Sequence, residues 1–222
     1  MKTNFKLNLI IAFVLFAFAG SSFAQVKIPA ASPTQTISEE FALSNISGTY
    51  SRPSVKGRKI FCDLVPYGAV WRTGANASTK IKFEEEVTIN GKQVPAGEYP
   101  LFTIPTASEW TFILSKNLKG WGAMGYNDSE DLLRFTAKAQ NLPFNIETFT
   151  ILFANQTPTS VDVQLLWANV MTGFTVKTEI DSKVMASIEQ GMKGEKKPYA
   201  QAANYYFENG KDLKQALIWA NE

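Results

Sequence analysis

From about Leu43 onward, apolar and polar residues alternate with a period of two, the pattern of a strand that buries one face and wets the other. Val161, Val163, Leu165 and Trp167 stand against Asp162 and Gln164, and Phe149, Ile151 and Phe153 against Thr148 and Thr150. Trp110, Phe112 and Leu114 form a further run. Leu133, Phe135 and Ala137 alternate with Arg134, Thr136 and Lys138, and Phe174, Val176 and Ile180 with Thr175, Lys177 and Glu179. Asn90-Gly91, between Val87-Thr88-Ile89 and Lys92-Gln93-Val94, predicts a two-residue type I′ hairpin, because both turn positions need positive φ. Glu85 breaks the parity shared by Ile81, Phe83, Val87 and Ile89, so a bulge or break is expected at Glu84-Glu85-Glu86. About eight or nine short strands without helices between them predict a mainly β chain, an antiparallel β-sandwich over 41–180.

After Ile180 the spacing becomes helical. Val184, Met185, Ile188 and Met192 share one face, with Asp181 as the expected N-cap. Pro198 opens a second helix faced by Ala202, Ala203 and Tyr206 and closed by Asn209-Gly210. Asp212 restarts a third, carrying Leu213, Ala216, Leu217 and Ala220. This short C-terminal α-helical segment, 181–222, is tetratricopeptide-like in its small residues, and its end without a cap is the pattern of a truncated repeat.

The N-terminus follows neither period. Lys2 and Lys6 precede an unbroken apolar run from Leu9 to Ala19, too short for a hydrocarbon layer of about 30 Å. Ser22-Phe23-Ala24 then offers small residues for cleavage, so 1–24 is expected to be a signal peptide. The mature protein is accordingly expected to be exported, periplasmic or secreted, with no integral membrane segment after cleavage. Residues 25–40, with Pro29 and Pro33, are expected to form an extended leader.

Composition narrows the chemistry. The chain has 22 Lys and Arg against 20 Asp and Glu, and with Lys2 and Lys6 removed the charges balance, which argues against a nucleic-acid partner. Histidine is absent, and with it the usual general base and the commonest zinc ligand. No catalytic motif, metal site or cofactor motif is evident. Cys62, the only cysteine, has no intramolecular partner and is expected to be buried.

Tyr50-Ser51-Arg52-Pro53, Lys56-Gly57-Arg58, Ile60-Phe61, Leu64-Val65-Pro66-Tyr67-Gly68 and Val70-Trp71-Arg72-Thr73-Gly74-Ala75-Asn76 occur in a distinctive order. Pro95-Ala96-Gly97-Glu98-Tyr99, Trp110 and Trp121-Gly122 follow. Over roughly 30–180 the chain resembles the exported bacterial family known as domain of unknown function 2911 (DUF2911). The resemblance implies an all-β exported domain, often followed by tetratricopeptide-like helices, and implies no activity. Cys62 departs from it, standing where a glycine is expected.

The same non-periodic stretch holds the candidate ligand-binding residues Arg52, Arg58, Tyr67, Trp71, Arg72 and Asn76. Guanidinium groups converging on a cleft would fork onto a carboxylate or phosphate, and Trp71 would stack on a sugar or aromatic ring. Paired to acids such as Asp63, the same arginines would instead pin a loop. Trp121, within Gly120-Trp121-Gly122, is either turn packing or part of a carbohydrate groove. The leading expectation is a binding module for a small anionic or carbohydrate ligand in the cell envelope or outside the cell. A histidine-free hydrolase or lyase of an envelope polymer would need two carboxyls about 5 to 9.5 Å apart, with Asp63, Glu85 and Glu98 as candidates. A third reading is a scaffold that binds an envelope protein through the helical tail.

Overall fold

The computed structural model describes residues 28–222; the expected signal peptide lies outside the described residues. Ten strands are followed by three helices: β1 (Thr34–Phe41), β2 (Ser44–Ser51), β3 (Thr79–Phe83), β4 (Val87–Ile89), β5 (Lys92–Val94), β6 (Gly97–Ile104), β7 (Glu109–Ser115), β8 (Asp131–Lys138), β9 (Gln140–Thr157) and β10 (Ser160–Lys177), then α1 (Asp181–Gly191), α2 (Tyr199–Glu208) and α3 (Leu213–Ala220). A six-stranded sheet in the order β1-β2-β3-β6-β7-β8 and a four-stranded one in the order β5-β4-β10-β9 make up the antiparallel sandwich. No helix among the described residues is long and apolar enough to cross a membrane.

The residues that alternate in sequence form the core. Trp110, Phe112 and Leu114 of one sheet and Phe149, Ile151, Val161, Val163, Leu165 and Trp167 of the other are buried in one cluster. At its centre Trp71 stacks on Trp167 at 5.7 Å and meets Trp110 and Phe149 edge-on. The expected break at Glu84-Glu85 is the point where the chain leaves one sheet, after Phe83, for the other, at Val87. Asn90 and Gly91 take φ of 49° and 75° in the β4–β5 hairpin, as its turn type requires.

Three sequence expectations change. Residues 34–40, placed in the leader, belong with Phe41 to β1: a polar edge strand with only Ile37 and Phe41 as large apolar residues, so it lacks a clear alternation. With it the strand count reaches ten. Second, β10 doubles back on itself. It pairs with β9 from Ser160 to Met171 and with β4 at Val176 and Lys177, while the Thr178 amide donates to Thr159 O at 2.9 Å and Thr175 Oγ1 donates to Asp162 Oδ1 at 2.6 Å. Ala168, at φ 50°, sits in the register shift that moves the buried parity from odd residues to Phe174 and Val176. Third, Asp181 is inside α1 rather than its cap; Glu179 accepts from the Asp181 amide and from Ser182 Oγ.

The helix positions read for the remaining tail need only a one-residue shift, since Pro198 precedes α2 instead of opening it. Gly210, at φ 62°, ends α2, with Lys211 N–H donating to Tyr206 O in a Schellman arrangement. Asp212 caps α3 through the amides of Lys214 and Gln215. Tyr206 and Trp219 pack edge-on at 4.8 Å, and Asp181 ties the hairpin to α1 through Tyr205 and Lys211.

Candidate functional site

Residues 52–78 run from β2 to β3 along one flank of the sandwich. Val55, Ile60, Phe61, Val65 and Trp71 bury themselves in the core, and this apolar anchorage fixes a segment with little strand of its own. Its polar side chains then face three different surroundings.

Arg52 is spent on β9: Nε donates to Phe149 O at 3.1 Å and Nη2 to Thr150 Oγ1 at 3.0 Å. Arg58 is exposed and closes its own turn by donating to Val55 O and Ser54 O. Tyr67 is 41 % exposed, beside the turn glycine Gly68. Trp71 is only 7 % exposed, and its Nε1 donates to Gly74 O at 3.0 Å, so its ring belongs to the core and has no face to offer a ligand. Asn76, at φ 58°, donates to Ser32 O and Ser51 Oγ. Among the described residues neither Arg58 nor Arg72 is ion-paired, so the pairing with Asp63 does not form. Cys62 is exposed, contrary to expectation, and takes φ 73° in the left-handed region, which explains a glycine at this place in the family pattern.

Arg72 differs from its neighbours. Its Nε is buried without a hydrogen-bond partner, and its Cδ lies 3.7 Å from where a Cβ on Gly122 would stand. Asn76 O is equally close to that position. Of the expected set, Arg72 and Asn76 are therefore brought together, under a second loop.

That loop, 116–127, lies beside the outer face of the six-stranded sheet, where Tyr126 packs on Phe102 at 5.1 Å. Asn117 Oδ1 accepts from the Lys119 and Gly120 amides, and its Nδ2 donates to Glu130 Oε2 at 2.8 Å. Gly120 and Gly125 press together at the neck: a Cβ on Gly125 would come within 2.7 Å of Gly120 Cα and Trp121 N. Beyond the neck Trp121 is 65 % and Met124 88 % exposed. Sequence reasoning singled out Trp121 but not the loop. The available signal was the spacing of Gly120, Gly122 and Gly125 around two large apolar residues.

The carboxylates do not assemble into a comparable centre. Glu85 is bound by Lys183 at 2.8 Å, Glu98 by Lys80 at 3.2 Å, and Asp63 is exposed. Asn127 caps the turn at Asp128–Glu130, and Asp131 Oδ2 accepts from Tyr126 and Arg134, an interaction that also raises the Arg134 pKa. No group of three or more metal-ligating side chains occurs among the described residues.

No curated protein and no solved structure matches the chain. Residues 32–176, which take in β1 to β9 and nearly all of β10, match the family model described as protein of unknown function (DUF2911). With more than half of its length matched, the chain belongs to the DUF2911 family.

Proposed function

We propose that this protein is an exported binding module that holds a small anionic or carbohydrate ligand on the outer face of its six-stranded sheet, between Arg72 and the Trp121 loop. The observation that carries this reading is the pairing of an unsatisfied, buried Arg72 Nε with a glycine-necked loop that keeps Trp121 in solvent. A buried guanidinium nitrogen without a partner is costly, and a carboxylate or phosphate oxygen relieves that cost. An exposed indole on a fixed loop offers a stacking face without first having to be ordered. Arg52, Trp71 and Asn76 serve as the frame of this site.

The test is a thermal-shift screen of the protein against uronic-acid oligosaccharides, peptidoglycan fragments and small organic acids, repeated on Arg72→Ala and Trp121→Ala. A ligand at a hundred times its dissociation constant is expected to stabilise the protein by about 2.7 kcal/mol, and each variant to lose that shift while staying folded. No shift with any of these ligands, together with an Arg72→Ala variant that melts much earlier, would make Arg72 a brace and end this reading. One observation favours the scaffold as a second reading: the α2–α3 hairpin leaves Phe207, Leu213, Leu217 and Ile218 more than half exposed.

A further inference from the structure

The two sheets have four edge strands, β1 and β8 in one and β5 and β9 in the other, and β9 and β8 are finished differently. On one flank the outer edge of β9 is satisfied in order. Glu147 O accepts from the Val55 amide, Phe149 exchanges bonds with Pro53 O and Arg52 Nε, and Ile151 N and O both meet the Tyr50 hydroxyl, at 2.9 and 3.1 Å. On the other flank β8 ends the six-stranded sheet with nothing paired beyond it. The Ala139 amide donates to Ser108 O, so by antiparallel alternation Ala137, Phe135 and Leu133 bond inward to β7. The N–H and C=O of Arg134, Thr136 and Lys138 then point away from the sheet. Among the described residues only one of these groups is taken, Lys138 O, by Thr172 Oγ1 at 3.0 Å.

Beside this free edge lies a cleft of about 570 Å³ between Phe135, Thr136 and Ala137 on one wall and Thr88, Asn90, Phe174 and Lys177 on the other. It adjoins a second cavity of about 270 Å³ that shares Phe174 and adds Lys138 and Asp162. Ala137 and the rims of the core rings Phe135 and Phe174 give the cleft its apolar floor. Lys177 is its only charged lining residue, and the acid of the adjoining cavity, Asp162, is already bonded by Asn155 and Thr175.

We propose that this flank is a docking site for an extended peptide segment of a partner protein, which adds to β8 as an antiparallel or parallel strand. The segment would alternate apolar residues, set over Ala137 and the rims of Phe135 and Phe174, with acidic residues facing Lys138 and Lys177. Backbone bonds to Arg134 and Thr136 supply affinity, and the alternate side chains supply selection. Unpaired edges invite such pairing, and proteins often stitch them, as this one does at β9, while β1 on that same flank has no strand beyond it. This inference is independent of the Arg72 and Trp121 site.

The experiment uses a labelled synthetic peptide of alternating valine and glutamate and its valine–lysine counterpart, read by fluorescence anisotropy and by amide hydrogen exchange on the full chain. The valine–glutamate peptide is expected to bind and to slow exchange at the Arg134 and Thr136 amides. Thr136→Pro removes an N–H that bonds nothing in the fold, so it is expected to keep its melting temperature and to bind at least about tenfold more weakly. Lys177→Glu, at an exposed position, is expected to shift preference to the valine–lysine peptide, which keeps the test valid should the proline variant fold poorly. Binding of neither peptide, binding without protection at Arg134 and Thr136, or unchanged binding by Thr136→Pro would overturn the proposal. A dimer in the absence of peptide that Thr136→Pro dissociates would also overturn it, with a second copy as the occupant.

Discussion

The flank at β9 and the flank at β8 pose the same physical problem, a row of backbone donors and acceptors at the end of a sheet, and solve it by opposite means. At β9 the chain from the end of β2 towards β3 lies along the edge and offers amides, a carbonyl, the Tyr50 phenol and a guanidinium in register with it. Gln156 completes the seam by donating to Glu40 O at 2.6 Å. At β8 a lone threonine reaches across. A buried polar group is inexpensive only when partnered, so the first flank is part of the fold's stability, whereas the second is left to water or to a partner.

This contrast sets the largest expected effect. Tyr50→Phe keeps the ring against Phe149 but strands the Ile151 amide and carbonyl in a buried setting, which should cost about 1–3 kcal/mol. Thr172→Val removes the single bond across the other flank while preserving shape, and Lys138 O can turn to water, so the cost should stay under about 1 kcal/mol. Urea unfolding of both variants measures the difference. Equal costs would show that the two flanks contribute alike and that the apparent seam is incidental.

A smaller effect, of opposite sign, sharpens the account of the closing segment. Cys62 holds a left-handed φ of 73° while its amide donates to Val65 O at 3.0 Å. A side chain there strains the backbone by about 1–2 kcal/mol, and glycine would relieve this at about 0.5–1 kcal/mol of chain entropy. Cys62→Gly should therefore stabilise the protein by about 0.5–1 kcal/mol in the same assay. Cys62→Ala, which keeps the Cβ, should not. If alanine and glycine behaved alike, the thiol rather than the backbone would be the cause.

What the sequence made legible follows from which forces are local. Strands with one dry face announce themselves by alternation, and the Asn90-Gly91 turn by its conformational demand, so both sheets could be read in outline. β1 could not, because an edge strand whose only large apolar residues are Ile37 and Phe41 carries no clear alternation; nor could the doubling of β10, because Ala168 in a left-handed bend is not a residue type that signals one. The candidate site was half legible. Arginines and a tryptophan in a loop were visible. Which of them would be consumed by the frame depended on contacts a hundred residues away in the chain, such as Arg52 with Phe149 and Trp71 with Trp167. The unfinished edge of β8 has no sequence signature at all, since it consists of backbone groups that nothing else happens to meet.

The smallest effect separates the stitched flank from the helical tail by pH. At the seam along β9 the one carboxylate, Glu147, accepts from the Lys56 amide at its exposed end, and the Tyr50, Arg52 and Gln156 bonds use none, so acid should leave 149–151 intact. The tail is held to α1 by Asp181, whose pKa lies below the ordinary 3.8, first through the hydrogen bond from Lys211 and then through that from Tyr205. A depressed carboxyl pKa means that the tie is complete above the ordinary value and is lost as pH falls through the lowered one. At the alkaline end the order differs. Tyr205 is pushed up to about 12, first by burial and then by Asp181, so its contribution is whole below 10.0 and fades between 10.0 and about 12. Tyr50, raised chiefly by burial, follows the same alkaline course on the flank. Hydrogen exchange, corrected for its intrinsic pH dependence, should then show acid loosening of 181–220 while 149–151 stays protected, with Asp181→Asn abolishing the acid response. Simultaneous release of both regions would mean that tail and flank are one cooperative unit, and the contrast drawn between a stitched edge and a charge-tied appendage would fail.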